Sequence, residues 1–123
     1  MQVFNPNHIV TQLDEMEFHE LDAFNEGGSG VFWALASDWS PWEMHPDCEE
    51  LLHVIEGEIT LEVLPFEGDK KTRHSIKTGD FITIPRGLWH RQKIRCKTKE
   101  YYLTPGKTLH SHEADPRINQ TEP

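Results

Sequence analysis

The sequence predicts an all-β domain, an antiparallel sandwich or barrel with an irregular N-terminal lead-in and a C-terminal tail. Three observations carry this. Seven short runs rich in apolar and β-branched residues follow one another between residues 31 and 104. Gly, Pro and Asp punctuate them as turn residues. Almost nothing in that region keeps a helical period.

The elements follow in order. Residues 1–30 are a lead-in. Leu13, Met16, Leu21 and Phe24 approach helical spacing and Phe18 breaks it, so the expectation is loop with at most one helical turn. Glu26-Gly27-Gly28-Ser29-Gly30 ends the lead-in as a flexible loop. The barrel is expected over 31–106, with strands at Val31–Ser37, Glu49–Ile55, Glu58–Leu64, Thr72–Ile76, Asp80–Ile84, Trp89–Arg95 and Glu100–Thr104. Glu56-Gly57 reads as a tight hairpin turn between two of them. Val31–Ala36 and Ile59–Leu64 are apolar on both faces, which suits strands covered by a second sheet or a partner subunit. Residues 107–123, polar and with Pro116 and Pro123, read as a tail.

Composition sets the limits. A chain of 123 residues and 14.3 kDa is one domain, and Leu, Ile, Val and Phe supply 29 of those residues, enough for a core. A formal charge of −9 argues against nucleic acid and anionic membranes as partners, since both need a basic surface. No apolar run approaches the roughly 18 residues of a membrane span. Met1 to Val10 has no basic start of the kind a secretory signal carries, and two cysteines are too few for a disulfide framework. A reducing, cytoplasmic setting is the expectation. Histidine occurs 8 times, well above its usual share of roughly 2%.

Two stretches carry chemistry. In the first, strand alternation points Glu43 and His45 the same way, and the loop Pro46–Cys48 returns the chain so that Glu50 opens the next strand. In the second, Asp80–Ile84 runs into the turn Pro85-Arg86-Gly87, and the following strand presents His90 close to that turn. Imidazoles and carboxylates converging from neighbouring strands suit a divalent transition metal. His53, three residues after Glu50, falls on the opposite face. Trp89 faces away from His90. Cys48 reads as a loop thiol, His110-Ser111-His112 as histidines scattered in a tail, and Arg86 and Arg91 as solvated charges.

These spacings resemble the two motifs of the cupin family. His45, four residues, Glu50, six residues and Gly57 follow the first motif; Gly79, five residues, Pro85, Gly87, two residues and His90 follow the second. There are two departures. Glu43 stands where the family's first histidine is expected, and Ile94 stands at the second motif's frequent asparagine. The resemblance implies a double-stranded β-helix of jelly-roll type and one divalent metal (Fe, Mn, Zn or Ni) held by His45, Glu50 and His90. Glu43 would be the fourth ligand or, if unbound, a general base. It also implies a homodimer and a small-molecule substrate. The expected function is that of a metal-dependent enzyme on a small oxygen-rich molecule, of oxygenase, isomerase or decarboxylase type. The alternative is a non-catalytic binding or sensing module.

Overall fold

The computed structural model describes residues 3–21 and 28–118. Two five-stranded antiparallel sheets face each other, as the sequence predicts. Sheet A runs β1(His19–Glu20), β2(Ser29–Ala34), β9(Thr98–Leu103), β4(Glu50–Glu56), β7(Phe81–Ile84). Sheet B runs β10(Leu109–Ser111), β3(Trp42–Met44), β8(His90–Ile94), β5(Glu58–Val63), β6(Thr72–Lys77). Neighbours in each sheet are mostly distant in sequence, the signature of a jelly roll.

All seven expected strands form within a few residues of their predicted ends. One helix, α1(Pro6–Val10), lies among the described residues of the lead-in. It precedes the stretch where the apolar spacing suggested a helical turn. Asn5 and Pro6 decide this. The Asn5 side chain accepts from the His8 N–H at 3.1 Å as N-cap, and the proline is set for the first helical turn. Leu13 instead lies in a bend and Met16 in a turn, with Met16 at φ 62°; Phe24, Glu26 and Gly27 lie outside the described residues. Ser29 and Gly30 already belong to β2.

Inward-facing Phe32, Ala34, Leu52, Val54, Ile59, Leu61, Ile84 and Ile94 form the core between the sheets. Gly57 makes the tight β4–β5 turn at φ +117°, where a side chain would also press on the Thr98 Cα, at 2.8 Å; the turn crosses from sheet A to sheet B and does not close the hairpin that the sequence suggests, since β4 and β5 do not pair. The apolar outer face of β2 is packed by α1, whose Val10 is fully buried.

Outward-facing residues of sheet B bury a second cluster, Trp42, Met44, Leu64 and Trp89. Beside it Glu62 is fully buried and paired twice: Arg73 Nε donates at 2.8 Å and Arg91 Nη2 lies at 2.7 Å. Arg91 in turn stacks on Trp42 (4.4 Å) and Trp39 (4.7 Å). Arg91 is therefore a partly buried structural cation, not the solvated charge its sequence context suggests. Glu62→Ala leaves Arg91 without its carboxylate. We expect a loss of about 2 kcal/mol, short of a fully buried pair because Arg73 is largely exposed, read by urea unfolding.

Candidate metal centre

β3 and β8 pair with Glu43 opposite His90, and β10 adds His110 on the other side of Glu43. His45 follows β3 on the same face as Glu43. Its carbonyl accepts from the Gly87 N–H at 2.9 Å, which ties the two motif loops together; Gly87 makes that turn at φ +83°. Glu50, at the start of β4, comes from the opposite sheet.

The four side chains meet. His45 Nε2 lies 2.9 Å from Glu43 Oε1 and 3.4 Å from Glu50 Oε1. His90 Nε2 lies 3.1 Å from Glu50 Oε1 and 3.8 Å from Glu43 Oε1. One donor atom from each of the four lies within 4.8 Å of every other. Glu43, His45, Glu50 and His90, the residues singled out in the sequence, are thus brought together. Cys48 is not in the group; its thiol donates to the Pro105 carbonyl.

Each histidine is held from behind. His90 Nδ1 lies 3.0 Å from the Leu88 carbonyl oxygen, which only accepts, so Nδ1 carries the proton and Nε2 of the neutral ring offers a lone pair. His45 Nδ1 is 3.0 Å from Thr108 Oγ1, and Thr104 Oγ1 donates to Glu50 Oε2 at 2.8 Å. Both Nε2 atoms are buried, and in the neutral rings they have no hydrogen-bond donor facing them. Each Nε2 faces both carboxylates at once. That is the arrangement of ligands around a common centre, and the donor set fits a divalent cation.

The electrostatics agree. Burial works against charge on all four residues, yet the carboxylate–imidazole contacts outweigh it. Glu43 and Glu50 are held well below the usual carboxylate range, while His45 and His90 are each raised to about 9. Two protons on the imidazoles then balance two carboxylates. A divalent cation bound to neutral imidazoles balances them equally.

The group sits on the wall of a cavity of about 590 Å³ whose apolar lining includes Phe18, Phe32, Leu52, Leu61 and Tyr102. Phe18, from the lead-in, stacks on Phe32 at 4.2 Å. Sequence reasoning missed Thr104, Thr108 and His110, whose Nε2 is 3.6 Å from Glu43 Oε2. For His110 a signal existed: alternation within Leu109–Ser111 singles it out once that stretch is read as a strand beside β3. The threonines carry no pattern. Thr104→Val frees the Glu50 carboxylate to turn, and we expect Zn²⁺ affinity about tenfold weaker by calorimetric titration.

A cupin-domain family model matches residues 34–100. Among curated proteins, an uncharacterised protein of Bacillus subtilis (strain 168), YdbB, is 32% identical over 82 residues, covering 67% of this chain and 63% of its own. Oxalate oxidase 1 of Hordeum vulgare is 29% identical over 96 residues, covering 76% of this chain and 47% of its own. The chain therefore spans less than two thirds of either relative. Among solved structures, hydroquinone 1,2-dioxygenase from Sphingomonas sp. TTNP3 with 4-hydroxybenzoate bound superposes with a TM-score of 0.59 at 16% identity, over 84% of this chain and 74% of that one, a likeness of fold. The matched segment carries both motifs and every strand from β3 to β8, and on that ground the chain belongs to the cupin domain family.

Proposed function

We propose that the protein is a metal-dependent enzyme of oxygenase type, acting on a small oxygen-rich molecule through one divalent metal held by His45, Glu50 and His90, with Glu43 as fourth ligand. The observation that carries this is the gathering of two buried Nε2 atoms and two carboxylates on a cavity wall, one ligand atom from each residue within 4.8 Å of every other. Two carboxylates make the site harder than one of three imidazoles, which favours Fe²⁺ or Mn²⁺ over softer ions. An ion held there by His45, Glu50, His90 and Glu43 would supply Lewis acidity toward paired ligand oxygens or a site for O₂.

The chain's own residues divide the remaining work. His45, His90 and Glu50 are buried and braced, so they hold position. Glu43 is 34% exposed at the cavity side and is the member free to swing. Released, it stands beside His110 as a base toward an incoming hydroxyl. Phe18, Phe32 and Tyr102 hold the carbon skeleton and exclude water around it. The barley oxalate oxidase and the hydroquinone dioxygenase suggest the substrate classes to try, dicarboxylates and dihydroxybenzenes; the aromatic wall favours the second.

The outer face of sheet A supports a homodimer: Leu51, Ile55, Tyr101 and Leu103 are only half buried there, and Phe81 is 63% exposed. Cys48 and Cys96 are both free thiols, in keeping with a cytoplasmic setting. No helix among the described residues is long and apolar enough to cross a membrane.

The test is elemental analysis of untagged protein purified without added metal, followed by oxygen uptake with dihydroxybenzenes. Near-stoichiometric iron or manganese with substrate-dependent uptake is the expected result. A protein that takes up no Fe²⁺, Mn²⁺ or Zn²⁺ on dialysis overturns it. Tight metal binding without turnover of any oxygen-rich small molecule leaves a binding module.

A further inference from the structure

The cavity in front of the metal-ligating group offers no cation to a ligand. All 12 lysines and arginines of the chain lie within the described residues. Of these, Arg91 alone borders the cavity. Its guanidinium is engaged elsewhere: it stacks on Trp39 and Trp42 and reaches Glu62 at 2.7 Å, on the outer face of sheet B. His110 borders the cavity too, and it already faces the Glu43 carboxylate. Among the described residues, no cation is thus left for a negative charge held away from the metal.

The polar side chains of the lining are engaged as well. Ser37 Oγ donates to the Asp38 carbonyl and Ser40 Oγ to the Pro41 carbonyl, each at 3.0 Å. Thr104 bonds Glu50, Thr108 bonds His45, and the Gln92 side chain bonds the Glu100 carboxyl. Beyond the neutral Tyr102 phenol, the side-chain surface next to the ligating group is hydrocarbon. Leu52 stands one inward step along β4 from Glu50, and Leu61 stands opposite Gln92, one inward step along β8 from His90. Phe32 packs in the same cluster and carries Phe18 stacked on it. Charge points the same way. Glu43 and Glu50 cancel the two charges of a divalent ion, so a loaded centre is neutral before any ligand arrives, and the chain around it carries −9.

We propose that the cavity selects a ligand whose only charge, at most one negative, sits on its chelating oxygens and whose body is an uncharged apolar ring or chain. Dicarboxylates, and chelators with a carboxylate on the body, are discriminated against. An ionised carboxylate there loses its water and finds nothing to replace it, whereas a methyl or isopropyl group gains by burial. The inference rests on the metal reading for the chelating head alone; the selection of the body belongs to the apolar wall and can be read without metal.

The test uses three probes with one chelating head, 5-hydroxypyran-4-one: allomaltol with a methyl across the ring, kojic acid with a hydroxymethyl, and comenate with a carboxylate. Each is titrated calorimetrically into Zn²⁺-loaded protein, and its affinity is divided by its affinity for free Zn²⁺. On that scale allomaltol should exceed comenate by at least about tenfold, with kojic acid between them. By burial of the isopropyl carbons, 4-isopropyltropolone should likewise exceed tropolone by at least about tenfold. Phe18 is 60% exposed, so Phe18→Lys should leave the barrel folded while placing a cation on the cavity wall. In that variant comenate should gain about threefold on allomaltol. In metal-free protein, where the imidazolium–carboxylate cluster is neutral, toluene should shift the methyl carbon-13 resonances of Leu52 and Leu61 and benzoate should not. Failure of zinc uptake with that contrast intact removes the metal reading and leaves the selection standing. Equal scaled affinities for comenate and allomaltol, or benzoate shifts as large as those of toluene, overturn the proposal.

Discussion

Replacing His90 with alanine is expected to abolish tight metal binding while the barrel stays folded. His90 is 4% exposed, its ring is fixed through Nδ1 by the Leu88 carbonyl, and its Nε2 is aimed at the point shared with His45 and the two carboxylates. Losing an outer partner of a ligand costs 10- to 100-fold in affinity, and losing the ligand itself costs more. The expected result is a dissociation constant at least about 100-fold higher for Fe²⁺, Mn²⁺ or Zn²⁺. Circular dichroism and thermal melting should show a folded barrel, because the core cluster between the sheets does not include His90. Two comparisons sharpen the result. Glu50→Ala should cost as much as His90→Ala, since Glu50 is buried and held by Thr104. Glu43→Ala should cost less, because at 34% exposure water can take its place. One metal retained per chain in His90→Ala refutes the assignment.

Most of the fold was legible because alternation and turn residues are local signals. Leu52 and Val54 alternate with less buried neighbours along β4, and Gly57, Gly79 and Gly87 stand where the backbone takes positive φ. The ligating residues were legible for the same reason, as the β3–β4 and β7–β8 connections that carry them are short. What stayed hidden depends on contacts made across long sequence separations. Thr108 reaches His45 across 63 residues and Thr104 reaches Glu50 across 54, and no periodicity encodes either. Glu62 and Glu100 show the limit from the other side. Each is an ordinary charged residue in an alternating strand, and sequence alone gives no hint that both are fully buried, one under two arginines and one beside the Gln92 side chain. The helix at Pro6–Val10 was written in its cap residues but was overshadowed by the apolar spacing that follows it.

Metal affinity should depend steeply on pH, because the cation has to displace protons. In the metal-free protein His45 and His90 are raised from 6.5 to about 9 by contact with Glu43 and Glu50. Below pH 9 both imidazoles hold protons, and a divalent ion needs both Nε2 lone pairs. Two protons released per ion make affinity rise by up to about 100-fold per pH unit, flattening above about pH 9. The same groups set the stability of the metal-free protein with the opposite slope. Their pKa values are higher folded than unfolded, so their contribution is complete below about 6.5 and is lost as pH rises through 9. The carboxylates, held low, contribute above about 4.5 and lose that contribution as pH falls below it. Metal-free protein should therefore be most stable between about pH 4.5 and 6.5, and lose of order 3 kcal/mol toward pH 9; the two imidazoles share the same carboxylates, so their effects do not add. Loaded protein should not follow this decline, since the cation replaces the lost protons. The gap between the melting temperatures of Zn²⁺-loaded and metal-free protein should widen from pH 6 to pH 9. Calorimetry in buffers of different ionisation enthalpy should count close to two protons released near pH 7. A gap independent of pH, with no proton released, would mean that the ion binds elsewhere and that the imidazolium–carboxylate cluster is the finished structure of the cavity wall.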